Sequence, residues 1–263
     1  MTTTAERWRL GIVGAALVAG VLLAFSRPPF AQEAAYHAFA DDRAFAGVPN
    51  FWNVATNLPF LVVGLFGLRW RERLRRPELG PGFLVFSTGV LLVAVGSAWY
   101  HLAPSNATLV WDRLPMTVGF MALFGLVVRD RLSETLGRRA LGPLLLLGTA
   151  SVAYWYATEL EGRGDLRPYY LVQFLPMLLI PLMLLSGPGR GGLRDGWLWA
   201  TLALYVVAKQ AESHDRALFE LTGLLSGHSL KHLIAAVAVL CALRAALRPA
   251  RPGAPQPAGS PRQ

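Results

Sequence analysis

The sequence predicts an all-α integral membrane protein, with a seven-transmembrane-helix core and one extra hydrophobic helix at its N-terminus. Three observations carry this. Hydrophobic residues fill 54% of the 263 positions and charged residues only 16%, against about 25% charged in soluble domains. The apolar residues come in blocks of roughly 17 to 22, the length a helix needs to cross a bilayer. The sequence lacks the alternating, short segments of a membrane β-barrel.

Eight spans follow in order. The first, about 9–25, comes after Arg7 and Arg9 and before SRPPFAQEA. It could serve as a signal sequence or an anchor; no crisp A-x-A site ends it, which favours a retained helix. The others are about 51–69, 82–102, 109–128, 140–157, 168–186, 196–213 and 228–247. Pro168 suits a helix start. Pro176 and Pro181 would kink their span and open room for an acyl chain. Asn50, Asn53 and Asn57 share one helix face and are expected to bond neighbouring helices. Three regions result: residues 1–35 as the N-terminal helix and linker, 36–247 as the seven-helix unit, and 248–263 as a proline-rich tail expected to be disordered.

The formal charge of +9 would suggest nucleic acid in a soluble protein. Here the arginines are better read as topology signals. Arg7, Arg9, loops 69–76, 129–139 and 189–195, and the segment from Arg244 onward hold 17 of the 25 basic residues. The alternate loops hold five: Arg27, Arg43, Arg163, Arg167 and Arg216. The positive-inside rule then places both termini in the cytoplasm and the 26–50 segment outside. A bacterial inner membrane is the expected location, and the bilayer rather than nucleic acid the expected partner. Aromatics from Trp99 and Tyr100 to Tyr169 and Tyr170 fall at outer helix ends, as an interfacial belt should. The single cysteine, Cys241, permits no intrachain disulfide. Oligomeric state is not legible.

Polar residues interrupt the apolar blocks at one depth. Ser97 and His101 lie four apart near the outer end of one span, and His228 and His232 lie four apart at the outer start of the last. Asp112 opens the span after His101. Four residues return a helix to the same face, and alternating chain direction brings all five towards the outer leaflet. Two imidazoles at i, i+4 and a third from another helix match the ligand set of a catalytic zinc site with an open position. Zinc would lower the pKa of its water to about 7. On this reading His101, His228 and His232 are ligands, Asp112 is general base and acid, and Ser97 supports the water or the oxyanion. A lone intramembrane histidine is often only hydrogen-bonded to a neighbouring helix. Three at one depth, with an aspartate, favour function. Arg113 is expected to snorkel to the interface, and Lys231 to point to a face away from the histidine pair.

The order Ser97-AWY-His101, then Asp112, then His228-SLK-His232 resembles the alkaline ceramidase family, part of a wider group of seven-helix membrane hydrolases that includes the adiponectin receptors. NFWNVATN (50–57) resembles the opening of the family's first core helix, and GDLRPYYLVQFLP (164–176) looks like its bacterial branch. The likeness covers about residues 36–247. It implies a zinc held by three histidines, with Asp112 and Ser97 beside the metal-bound water. The implied reaction is hydrolysis of a ceramide-like lipid amide to a fatty acid and a long-chain base. Animal members also bind calcium through an acidic cluster and a glutamate. Here Asp41, Asp42 and Asn50 stand in those places, and a solvated acidic loop is the preferred reading. Two alternatives stay open: a receptor on the same scaffold with a structural zinc, and a transporter that uses the histidines.

Overall fold

The computed structural model describes residues 4–248, so the tail predicted to be disordered lies outside the described residues from position 249 on. The described residues are 78% helical and include no strands. Its α-helices are α1 (Thr4–Phe25), α2 (Phe51–Ala55), α3 (Leu58–Arg69), α4 (Gly80–Leu102), α5 (Asn106–Arg131), α6 (Glu134–Leu160), α7 (Arg167–Leu185), α8 (Asp195–Ser213), α9 (Asp215–Thr222) and α10 (Gly227–Ala246). Among the described residues, seven segments are long and apolar enough to cross a membrane, the N-terminal helix among them, which makes this a multi-pass membrane protein. The expected span at 196–213 forms as the 19-residue α8. It is less apolar than the seven because it carries Asp195, Lys209, Gln210 and Glu212, and it packs along α10.

The expected span 51–69 is interrupted. Pro59 sits in the first turn of α3, where it offers no N–H to a preceding carbonyl. Thr56 and Asn57 form the joint, and the Thr56 hydroxyl donates back to the Trp52 carbonyl at 2.6 Å. The asparagine face does bond outward: Asn53 Oδ1 accepts from Ser229 Oγ on α10 at 2.8 Å. α7 runs through Pro176 and Pro181 as one helix.

The largest core cluster interleaves Phe83, Phe86, Leu126, Val127, Met183 and Leu243 from α4, α5, α7 and α10. A second cluster holds Phe39, Tyr100, Leu109, Trp155 and Tyr169. This divides the expected aromatic belt. Trp99, Trp111, Tyr154 and Tyr170 do face outward, but Tyr100, Trp155 and Tyr169 turn inward and are buried. α1 packs at the periphery against α7, with Val13 as its buried residue. The linker from α1 then folds back over the bundle end. Phe30 accepts a backbone bond from Leu166, Ala40 N donates to Asp215 at 2.8 Å, and Phe39 reaches the histidines.

Candidate metal and hydrolytic site

Two glycines decide how closely the site-bearing helices approach. A Cβ at Gly96 would overlap the Trp111 carbonyl, so glycine lets α4 and α5 touch backbone to backbone one residue before Ser97 and one before Asp112. A Cβ at Gly227 would meet the Ala211 carbonyl and the Asp215 backbone, so α10 can start against the end of α8. That start is fixed twice over. Ser226 caps it by accepting from Ser229 N, an interaction worth about 1 kcal/mol, and Asp215 Oδ1 accepts from His228 N at 2.6 Å.

The three predicted histidines meet. Their ring centroids form a near-equilateral triangle, with His101 4.9 Å from His228, His101 5.0 Å from His232, and His228 4.9 Å from His232. One ligand nitrogen from each lies within 4.8 Å of the others, and all three side chains are buried, so the cluster could hold a metal ion. The donors fit one. Both ring nitrogens of His101 are buried with no hydrogen-bond partner, a costly state unless something else completes them. Thr56 sets the tautomer of His232. Its only hydroxyl proton goes to Trp52, so the 3.0 Å contact with His232 Nδ1 has nitrogen donating and Thr56 Oγ1 accepting. Nε2 of His232 is thereby left with a free lone pair, the outer-shell arrangement typical of metal-bound histidine. The other two histidines are spent elsewhere: His37 on Tyr100 and Asn106, His214 on the Gln210 carbonyl.

Ser97, Asp112 and His232 line one cavity with about 1530 Å³ of empty space, part of it open to the surroundings. Ser97 and Asp112 both line its polar end. From that polar end the cavity runs between α4, α5, α7, α8 and α10 along an apolar wall that includes Phe86, Val90, Leu123, Met177 and Val239. α7 and α8 touch only sparsely.

Several polar residues at this end were not expected there. Lys231 does not point away: its Nζ lies 3.1 Å from His228 Nε2 and 2.9 Å from Glu212 Oε1. Glu212 is also paired with Lys209, and its Oε1 lies 4.0 Å from His228 Nδ1. Lys231 follows His228 by three residues, a spacing that puts both on one helix face, so the expectation misjudged the angular position. Arg113 does not snorkel either. It is buried, with its guanidinium over Trp155 and Tyr169. A cluster of Lys209, Glu212 and Lys231 at i, i+3 and beyond is a signal, but only the packing of α8 on α10 aims it at the site.

Two of the residues considered for calcium, Asp41 and Asn50, have protein partners. Both carboxylate oxygens of buried Asp41 are taken by the Arg43 guanidinium, at 2.7 and 2.8 Å. Asp42 is exposed, and the Asn50 amide donates to the His101 carbonyl at 2.9 Å. A cation there would have to displace a guanidinium.

Among curated proteins, none matches the chain. The family model described as Ceramidase matches residues 44–179, a segment that carries Ser97, His101 and Asp112, while His228 and His232 follow it on α10. That match spans just over half of the sequence, and with it the chain belongs to the ceramidase family of hydrolases.

Proposed function

We propose that the protein is a zinc-dependent membrane amidase that cleaves ceramide-like lipid amides into a fatty acid and a long-chain base. The observation that carries this is the meeting of three buried histidines from α4 and α10, one of which, His232, lines a largely apolar cavity together with Ser97 and Asp112. His101, His228 and His232 would hold the ion, and seven core helices within residues 36–247 would carry the site. Zinc at three histidines supplies Lewis acidity and a nucleophilic water at neutral pH.

The remaining work falls to the chain. The apolar wall takes the acyl chain, and the sparse α7–α8 seam offers entry from the bilayer. Asp112 takes a proton from the attacking water as oxygen bonds to the carbonyl carbon. It then delivers a proton to the nitrogen as the C–N bond breaks. Ser97, on the same cavity wall as Asp112, supports the water or the oxyanion. The arginine distribution supports a topology with both termini in the cytoplasm and the site towards the outer leaflet. The test is incubation of the purified protein with a panel of lipid amides and esters, with and without chelator, read by mass spectrometry alongside metal analysis. Amide cleavage that chelator stops and zinc restores is expected. Undiminished cleavage by a protein with all three histidines replaced would overturn the proposal.

A further inference from the structure

Two arginines are fully buried among the described residues. Arg131 pairs with Asp130 and Asp195. Arg113 has no such partner. It is only 4% exposed, and among the described residues it forms no ion pair. Trp155 and Tyr169 cover its guanidinium at 4.1 and 4.4 Å from their ring centroids. Such stacking holds a cation by its faces and leaves the N–H edge free. One edge nitrogen, Nη2, donates to Gln32 Oε1. The other, Nη1, is buried with no partner.

Arg113 and Gln32 both line the cavity that Ser97, Asp112 and His232 line. The charges on that wall do not balance. Arg113, Lys209 and Lys231 face Asp112 and Glu212, and 3 − 2 leaves one positive charge in excess. An uncompensated cation in a low-dielectric site is costly. A flat guanidinium edge is matched by two oxygens of a carboxylate or phosphate.

We infer that Arg113 forms an anion subsite beside the reacting centre, and that the preferred substrates are lipid amides whose head group carries a carboxylate or phosphate. This rests on the reading of the cavity as the amidase site. It adds that Arg113 and Gln32 select the head group.

The test measures binding with hydrolysis switched off. Full-length protein in detergent with excess chelator is titrated with N-oleoylglycine, with its neutral counterpart N-oleoylethanolamine, and with oleate, and followed by tryptophan fluorescence, for which Trp155 is the adjacent reporter. N-oleoylglycine should bind at least about tenfold more tightly than N-oleoylethanolamine. Arg113→Gln should erase that difference, and Arg113→Lys should keep part of it. Equal affinity of the unaltered protein for the two amides overturns the proposal, whether or not the variants fold. Oleate binding as tightly as N-oleoylglycine, with the same dependence on Arg113, overturns the head-group assignment in favour of a fatty-acid site. Failure of the amidase reading would appear separately, as no amide cleavage after zinc is restored, with the binding preference intact.

Discussion

The two ends of α5 make opposite use of buried charge. Asp112 near its start and Asp130 and Arg131 at its end are about 27 Å apart along the axis, at 1.5 Å per residue. At the Asp130 end every charge has an opposite charge against it, although the buried Asp130 Oδ2 and Arg131 Nε meet as an ion pair without a hydrogen bond. Asp130 Oδ1 accepts from Gly192 N at 2.7 Å, its Oδ2 lies 3.1 Å from Arg131 Nε, and Arg131 also grips Asp195. The knot ties the segment before α8 to the bundle. At the Asp112 end, both ring nitrogens of His101 and Arg113 Nη1 are buried and open. The same low dielectric makes a closed network rigid and an open one costly. Closed charge therefore builds the fold, while open charge marks what a metal and a substrate would complete.

The strongest challenge to that contrast comes from the open end. His101→Ala should remove bound metal and bring lipid-amide cleavage below detection, with little change in melting temperature, because His101 satisfies nothing in the fold through its ring nitrogens. Metal content by mass spectrometry and a thermal melt in detergent check both halves. Asp112→Asn should separate the roles. Metal content is kept, and turnover falls by about 10²- to 10⁴-fold, the usual contribution of a general acid–base group.

The closed end should fail in the other way. Asp130→Ala leaves Arg131 buried with half of its partners, and breaking a buried pair costs about 3–5 kcal/mol. A lower melting temperature with unchanged cleavage per folded molecule is expected. If Asp130→Ala altered activity at constant stability, the division between architecture and site would be wrong. Thr56→Val lies between the two kinds. It keeps the shape of the joint between α2 and α3 but removes the acceptor for His232 Nδ1, so metal affinity should drop about 10- to 100-fold, as for other outer-shell partners. Competition with a fluorescent zinc chelator measures this.

These contrasts were unevenly legible in the sequence. Blocks of apolar residues give the bundle because membrane helices must satisfy their backbone internally. The depth shared by Ser97, His101, Asp112 and the His228–His232 pair follows from helix period and alternating direction alone. The joint at Thr56 was missed, although Asn57-Leu58-Pro59 carried its signal, because the hydropathy of 51–69 is continuous across it. Lys231 and Arg113 were misplaced for different reasons. Lys231 shares a helix face with His228 by its i, i+3 spacing, so its place was legible. Arg113 goes where tertiary contacts take its long side chain, under Trp155 and Tyr169.

The smallest expected effect sharpens the comparison, because it concerns a closed knot at the open end of the bundle. Asp165, in the loop before α7, accepts from Arg167 Nε and Nη2 at 2.9 and 2.8 Å, from Arg167 N at 3.0 Å and from the Tyr154 hydroxyl at 3.2 Å. Arg167 in turn donates to the Arg27 carbonyl at 2.7 Å, which fastens the exit of α1 to the start of α7. The guanidinium of Arg167 holds the Asp165 carboxyl below the usual carboxylate range, and hydrogen bonds from Arg167 N and Tyr154 act in the same direction. A depressed folded-state pKa contributes stability that is fully present above the unfolded value, about 3.9, and is lost as pH falls through the folded value. Hydrogen bonds to a charged group are worth about 1.5–3 kcal/mol, and partial exposure of the arginine lowers that to about 1 kcal/mol. The melting temperature should therefore fall between about pH 5 and pH 3, and Asp165→Asn should start lower and show a shallower decline. An identical acid profile in the variant would place the acid-sensitive carboxylate elsewhere and leave the α1–α7 fastening without an electrostatic share.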